Sequence, residues 1–297
     1  MCNIYFCGIM KKDRREVDLV VLSDIHLGTY GCQAKEVLRY LKSIKPKRLI
    51  LNGDIFDIWQ FKKRYWPSSH MKVVKQIISL AAEGVDTYYI TGNHDEIFRK
   101  FSGLVLGKFH VVNEVQMDLA GGKAWFFHGD VFDMIIQNSK WLAKLGSIGY
   151  DILILANSII NYFARKFNRP KVSMSKKIKD NVKSAVKYIT NFEDTAARIG
   201  YKRGFSYVVC GHIHKSQHRT VKVETGEIVY LNSGDWVENL TALEYDKGEW
   251  SVYEYKNDFA IHKGSPVEND KELAIVDLKP DVLLKKMFVE FNKNSTL

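Results

Sequence analysis

Cysteine is scarce: the 297 residues carry four, Cys2, Cys7, Cys32 and Cys210, and no two are spaced as a disulfide pair or as paired metal ligands. That argues against a disulfide-stapled scaffold and against a thiolate metal cluster, and a reducing compartment is the simplest expectation. Long apolar runs are missing too. The most apolar stretch, Ile148 to Phe163, is broken by Asp151, Asn157 and Asn161, and it falls short of the roughly 20 residues that a membrane-spanning helix needs. The first ten residues, MCNIYFCGIM, lack the basic leader and the small-residue cleavage site of a signal peptide. A cytoplasmic protein is therefore expected, with residues 1–16 as an N-terminal extension and Met10 as a usual start. Internal repeats and low-complexity tracts are absent from the sequence.

What is there begins with size and charge. A chain of this length with 46% hydrophobic and 26% charged residues can bury a core of its own. The formal net charge is +10. Nearly all of that excess sits between Lys140 and Lys187, where eleven Lys or Arg face only Asp151 and Asp180.

Five apolar, β-rich runs each end in a polar cluster: VDLVVLSD (17–24), RLILNGD (48–54), TYYITGNHD (87–95), KAWFFHGD (123–130) and YVVCGHIH (207–214). Between them, Ala34 to Lys45 and Met71 to Glu83 place apolar residues at helical spacing. Alternation of this kind predicts an α/β sheet with its site at the carboxyl ends of the strands. After Lys215, HRTVKV, EIVYLNSGDW, LTALEYD and EWSVYEY read as strands that close a second sheet. Residues 139–200 break the rhythm with two or three helices, one very apolar and one amphipathic (Ile178, Val182, Val186, Ile189, Phe192), and read as an insertion capping the site. The core is then 17–138 with 201–255, and 256–297 is a polar tail without a readable role.

The strand ends supply the chemistry. They carry, in order, Asp24 and His26 in SDIHLG, Asp54 in NGDIFD, Asn93 and His94 in GNHDE, His128 in FFHGD, and His212 and His214 in CGHIH. Carboxylate, imidazole and carboxamide donors without a thiolate suit a pair of borderline divalent ions, Mn²⁺ first, with Fe, Zn or Mg as alternatives. A carboxylate shared by two ions about 3.5–4 Å apart can clamp a phosphoryl group and lower the pKa of a water between them. Any one of these short motifs alone is noise; five in order at strand ends are a site.

The pattern D-x-H, G-D, G-N-H, H, G-H-x-H resembles the calcineurin-like metallophosphoesterases, whose fold is a four-layer αββα sandwich. The resemblance implies that Asp24, His26, Asp54 and His214 bind one ion and that Asp54, Asn93, His128 and His212 bind the other. It also implies that His94, held by Asp95, contacts the phosphate or protonates the leaving group. Asp57, Asp130 and Asp133 read either as carboxylates orienting a ligand imidazole or as exposed loop acids. Tyr65-Trp66 and Trp125-Phe126 read as packing rather than as a base-stacking platform.

Within that superfamily the chain is similar to the UDP-2,3-diacylglucosamine hydrolases of lipid A biosynthesis. SDIHLG, GDIFDIW, the helical insertion after HGDVFD and LNSGDWVENLTALEY carry that likeness, over about residues 17–255. It implies cleavage of a lipid-linked UDP-sugar to UMP and a lipid monophosphate at the inner-membrane surface, with the protein associated peripherally. In the loosely matched stretch VSMSKKIK, Ser175, Lys176 and Lys179 would join Asn93 and His94 in binding substrate; the same lysines also read as a solvated helix face. Where the best-known family members have Arg after the metal-binding Asn, this chain has His94. A basic, apolar cap suits an anionic lipid, so no nucleic acid is expected. Two alternatives stand beside this reading: a soluble nucleotide phosphodiesterase or nuclease with the same metals, and a non-catalytic scaffold that binds a membrane or partner.

Overall fold

The structure is a computed structural model that describes residues 14–59, 65–132, 189 and 192–263. The Lys140–Lys187 segment, Ser175, Lys176, Lys179, Asp133, residues 1–13 and the tail beyond 263 lie outside the described residues. Among the described residues no helix is long and apolar enough to cross a membrane.

Two sheets face each other. The first runs through β1 (Arg15–Leu22), β2 (Ile44–Asn52), β3 (Asp86–Ile90), β4 (Val105–Leu106), β5 (Phe109–Val112), β11 (Thr241–Asp246) and β12 (Glu249–Glu254), in the order β12-β11-β1-β2-β3-β5-β4. The second takes β6 (Val115–Leu119), β7 (Gly122–Phe126), β8 (Tyr207–Cys210), β9 (Gln217–Val223) and β10 (Gly226–Asn232), in the order β6-β7-β8-β10-β9. The strands after Lys215 thus do not form one sheet as expected. β9 and β10 join the second, while β11 pairs antiparallel with β1 and brings β12 to the first.

Period-two alternation within the strands explains the layering. Val20 and Leu22 of β1 pack with Val37, Tyr40 and Leu41 of helix α1 (Ala34–Ser43) and with Val73, Ile77 and Leu80 of helix α2 (Ser68–Ala82). Their neighbours Leu19 and Val21 turn the other way and meet Ala124, Phe126, Val209 and Leu231 of the second sheet. Trp125 and Val208 point outward again and pack on Phe192, Ala196 and Ala197 of a helix across residues 192–202. Helix, sheet, sheet and helix therefore stack in four layers, the sandwich the resemblance implied. One boundary shifts: Phe192 is fully buried against the second sheet, so the core reaches back into the stretch expected as insertion.

Candidate metal centre

Parallel strands place every candidate ligand at one end of the molecule. β1 pairs parallel with β2 and β2 with β3, and β7 pairs parallel with β8 and β8 with β10, so their carboxyl ends open into one crevice. Main-chain bonds join the loops there. Asp24 N donates to Gly53 O (3.1 Å), His26 N to Asp54 O (3.0 Å), Gly211 N to His128 O (2.9 Å) and Trp236 N to Asp24 O (3.1 Å).

The backbone at these positions is strained. Asp24, His26, Asp54, His212 and His214 all have positive φ, between 51° and 71°, in the left-handed region that non-glycine residues rarely adopt. Each costs about 1–3 kcal/mol and persists only where the surroundings impose it, which is typical of functional sites. Glycines clear the space around them. A Cβ on Gly53 would sit 2.3 Å from the His128 ring, and one on Gly92 would sit 2.2 Å from Asp54 Oδ1.

Three clusters of donor atoms result, each with all atoms within 4.8 Å of one another: Asp24, His26 and His214; His26, Asp54 and His94; and Asp54, His128 and His212. Asn93 joins the last, its Oδ1 lying 3.3 Å from His128 Nε2. Asp54 belongs to two clusters, with Oδ2 3.2 Å from His128 Nε2 and Oδ1 accepting the His94 backbone N–H at 2.8 Å. All seven expected ligands thus meet in the crevice.

The donor set fits divalent ions on the structure's own evidence. Asp24 Oδ1 is buried and accepts no hydrogen bond among the described residues, though His214 Nε2 and His26 Nε2 stand 3.3 and 4.0 Å away. His26 Nε2 and His214 Nε2 are themselves 3.4 Å apart. Nitrogen and oxygen donors this close together, beside a carboxylate oxygen that accepts no hydrogen bond, suit a cation's coordination shell once the imidazoles are neutral.

The buried carboxylates and imidazoles also shift one another's protonation. Burial would raise the Asp54 carboxyl, but His128 and His26 hold it well below the usual carboxylate range. Burial would lower the His128 imidazole, yet Asp54 pushes it far up. His214 rises to about 9, because Asp24 and Asp235 outweigh its burial.

The groups orienting these ligands are partly unforeseen. His128 Nδ1 bonds Asn52 O at 2.9 Å, which leaves Nε2 for the centre. His214 Nδ1 stands 3.4 Å from Asp235 Oδ2. Asp235 is fully buried, and its Oδ1 accepts the N–H groups of Val237, Glu238 and Asn239 at 2.8–3.1 Å. Sequence reading passed over Asp235 as a site residue. Its signal was the polar cluster NSGD closing β10, as SD, GD and HGD close other strands.

The role expected of Asp95 needs correction. Its carboxylate does not hold His94 but binds Gly92 N (2.6 Å), Ile55 N (3.0 Å) and the Tyr89 hydroxyl, locking the Asn93 loop to the Asp54 loop. Neighbours along the chain point apart here, and Asp95 is fully buried. The carboxylate beside His94 is Asp57, with Oδ2 3.2 Å from His94 Nδ1 and 3.8 Å from His26 Nδ1. Despite burial, those two imidazoles hold the Asp57 carboxyl far below its ordinary value. His94 rises: Asp57 and Asp54 overcome its burial. Trp59 covers the His94 ring at a centroid distance of 4.2 Å.

Asp130 pairs with Arg99 at 2.5 Å and orients no ligand imidazole. Trp66 stacks on Phe56, and Trp125 packs between Phe127 and Phe205, as the packing reading expected; Tyr65 lies on Tyr30.

Known proteins resemble this chain. UDP-2,3-diacylglucosamine hydrolase of Aliivibrio fischeri (strain MJ11) is 24% identical over 243 residues, covering 79% of this chain and 97% of that protein. The hydrolase of the same name from Psychromonas ingrahamii (strain DSM 17664 / CCUG 51855 / 37) is 24% identical over 203 residues, covering 67% of this chain and 80% of that protein. Among solved structures, an archaeal phosphodiesterase aligns with a TM-score of 0.38 at 12% identity, covering 80% of this chain and 98% of that one. Vacuolar Protein Sorting 29 from Cryptosporidium parvum aligns with a TM-score of 0.33 at 12% identity, covering 80% and 96%. The family model for calcineurin-like phosphoesterases matches residues 17–216, two thirds of the chain and every candidate ligand in it. The chain belongs to the calcineurin-like phosphoesterase family and is a metal-dependent hydrolase.

Proposed function

We propose that this enzyme hydrolyses the pyrophosphate bond of UDP-2,3-diacylglucosamine, releasing UMP and 2,3-diacylglucosamine 1-phosphate. One observation carries the reaction class: Asp24, His26, Asp54, Asn93, His128, His212 and His214 converge in one crevice, with Asp54 central to two donor clusters. The substrate assignment is supported by curated relatives of that name, one of them matched over 97% of its length. The sequence between Lys140 and Lys187 carries eleven Lys or Arg, a charge that suits an anionic lipid surface, and the protein would work peripherally at the cytoplasmic side of the inner membrane.

Asp24, His26, Asp54 and His214 would hold one divalent ion, and Asp54, Asn93, His128 and His212 the other, Mn²⁺ being the best match to these donors. When bound, such a pair supplies an activated water and neutralises charge on the phosphoryl group. The chain's own residues do the rest. Asp57 stands beside His94 Nδ1 and favours its protonated form, so that an imidazolium there could donate to phosphate oxygen or to the departing phosphate. Asp235 fixes His214 in the tautomer that presents Nε2. Asp95 sets the distance between the Asn93 and Asp54 loops.

The test is UMP release from UDP-2,3-diacylglucosamine by Mn²⁺-loaded protein, run beside bis-p-nitrophenyl phosphate and single-stranded DNA. The reading expects the lipid nucleotide to be preferred. Robust DNA cleavage without UMP release would replace it with the nuclease reading, and no hydrolysis of any of the three would leave the scaffold reading.

A further inference from the structure

A cavity of about 130 Å³ adjoins the metal crevice at the carboxyl ends of β3, β5 and β7. His128 forms part of its wall, so a ligand lying there is next to the phosphoryl position. We propose that this cavity is a subsite for the pyrimidine base of the nucleotide, an inference that rests on the nucleotide half of the function proposed above.

The arginine lining the cavity is not free for a second phosphate: Arg99 is already paired with Asp130 at 2.5 Å, and Glu114 stands 3.9 Å from Arg203. A neutral, planar, hydrogen-bonding group needs no unpaired counter-charge there.

The donors and acceptors suit such a group. Arg99 Nε is buried and has no hydrogen-bond partner among the described residues. A guanidinium N–H left so is costly unless something accepts from it, and a base carbonyl is an acceptor of the right size. Thr91, itself buried, donates its hydroxyl to Asn113 Oδ1 at 3.2 Å, which turns the Asn113 amide group outward as a second donor. The Glu114 carboxylate, which already accepts from Trp125 Nε1 at 2.9 Å and Gln116 Nε2 at 3.1 Å, has further lone pairs for a ring N–H, and Phe127 with Val131 supplies apolar wall.

Size then selects the ring. A cavity of roughly 150 Å³ encloses one benzene molecule. This slightly smaller one opens to solvent at Asn113 and Glu114, which are exposed. Its volume matches a single six-membered ring with its substituents trailing outward, and a purine would leave its second ring outside the cavity.

Inhibition of bis-p-nitrophenyl phosphate hydrolysis by UMP, AMP and inorganic phosphate tests the proposal on the full chain loaded with Mn²⁺. UMP should inhibit at concentrations at least tenfold below those of AMP and of phosphate. Asn113→Ala, at an exposed position, and Thr91→Val should each cut the UMP-to-phosphate preference at least fivefold. Equal inhibition by UMP and AMP, or a preference unchanged in both variants, overturns the subsite. If UMP selectivity holds while the lipid nucleotide yields no UMP, the subsite stands and the lipid assignment falls; cleavage of the lipid without UMP selectivity has the reverse meaning.

Discussion

Asp57 Oδ2 lies 3.2 Å from His94 Nδ1, so the acid beside the candidate proton donor comes from the loop after β2 rather than from the next residue in the chain. Removing that charge while keeping the shape isolates its effect. Asp57→Asn is expected to lower kcat on bis-p-nitrophenyl phosphate about 10–100-fold, the usual loss when such an orienting partner is removed. The sign of the pH effect follows from His94 losing the carboxylate that raises it. A group that must be protonated then deprotonates at lower pH, so the alkaline limb of the kcat profile moves down. An unmoved limb in the variant would contradict the role of Asp57.

Asp235 acts on the opposite side of the centre. Asp235→Asn should weaken metal binding about 10–100-fold, because His214 loses the carboxylate facing Nδ1. Isothermal titration with Mn²⁺ reads the change. The amides of Val237, Glu238 and Asn239 still find an oxygen in the asparagine variant, so its melting temperature should move by only a few degrees. A full-affinity Asp235→Asn variant would show that His214 needs no such partner.

How legible this was in the sequence depends on how local each signal is. Strands β1, β2, β3, β7 and β8 announced themselves as apolar runs closed by polar residues, and the same polar residues are the candidate ligands that meet in the crevice, so fold and candidate site were readable together. Strands β4, β5 and β6 were not read: β4 has two residues, β5 four, and β6 alternates about exposed Gln116 and Asp118. Which sheet a strand joins is a non-local fact, and β11 crosses to β1 through pairings such as Leu19 with Tyr245. The Asp95 and Asp57 exchange has the same origin, since adjacency in sequence does not give side-chain direction in a tight loop. Phe192 was read on the apolar face of a cap helix; its apolar side was visible, but its partner, the second sheet, was not.

Stability should fall in mild acid because of His70. It is almost fully buried, its Nδ1 accepts the Gly28 N–H at 2.9 Å, and burial lowers its pKa to about 4. The folded state thus keeps it neutral where the unfolded chain, titrating near 6.5, takes up a proton. Its contribution is complete above about 6.5 and is lost as pH drops toward 4, at up to about 1.4 kcal/mol per pH unit. Urea midpoints of the wild type and His70→Gln across pH 4–7.5 read this. The variant's curve should be flatter in that window, and parallel curves would refute it.

Gly92→Ala tests the cradle around Asp54. The added Cβ would lie 2.2 Å from Asp54 Oδ1 and 2.6 Å from Asp54 N, so the loop or the carboxylate must shift. A cost of about 1–3 kcal/mol in stability is expected, together with Mn²⁺ affinity lower by an order of magnitude or more. Wild-type affinity in a folded Gly92→Ala protein would mean that Asp54 tolerates displacement.

The shared carboxylate is the centre of the account, and metal counting on Asp54→Ala tests it most directly. Elemental analysis of Mn²⁺-reconstituted protein, paired with hydrolysis of bis-p-nitrophenyl phosphate, should find two ions per wild-type chain. In the folded variant both ions and at least 99% of the rate should be gone, since one residue serves both positions. A variant that keeps two ions and a near-normal rate would contradict the assignment of Asp54 as the bridge.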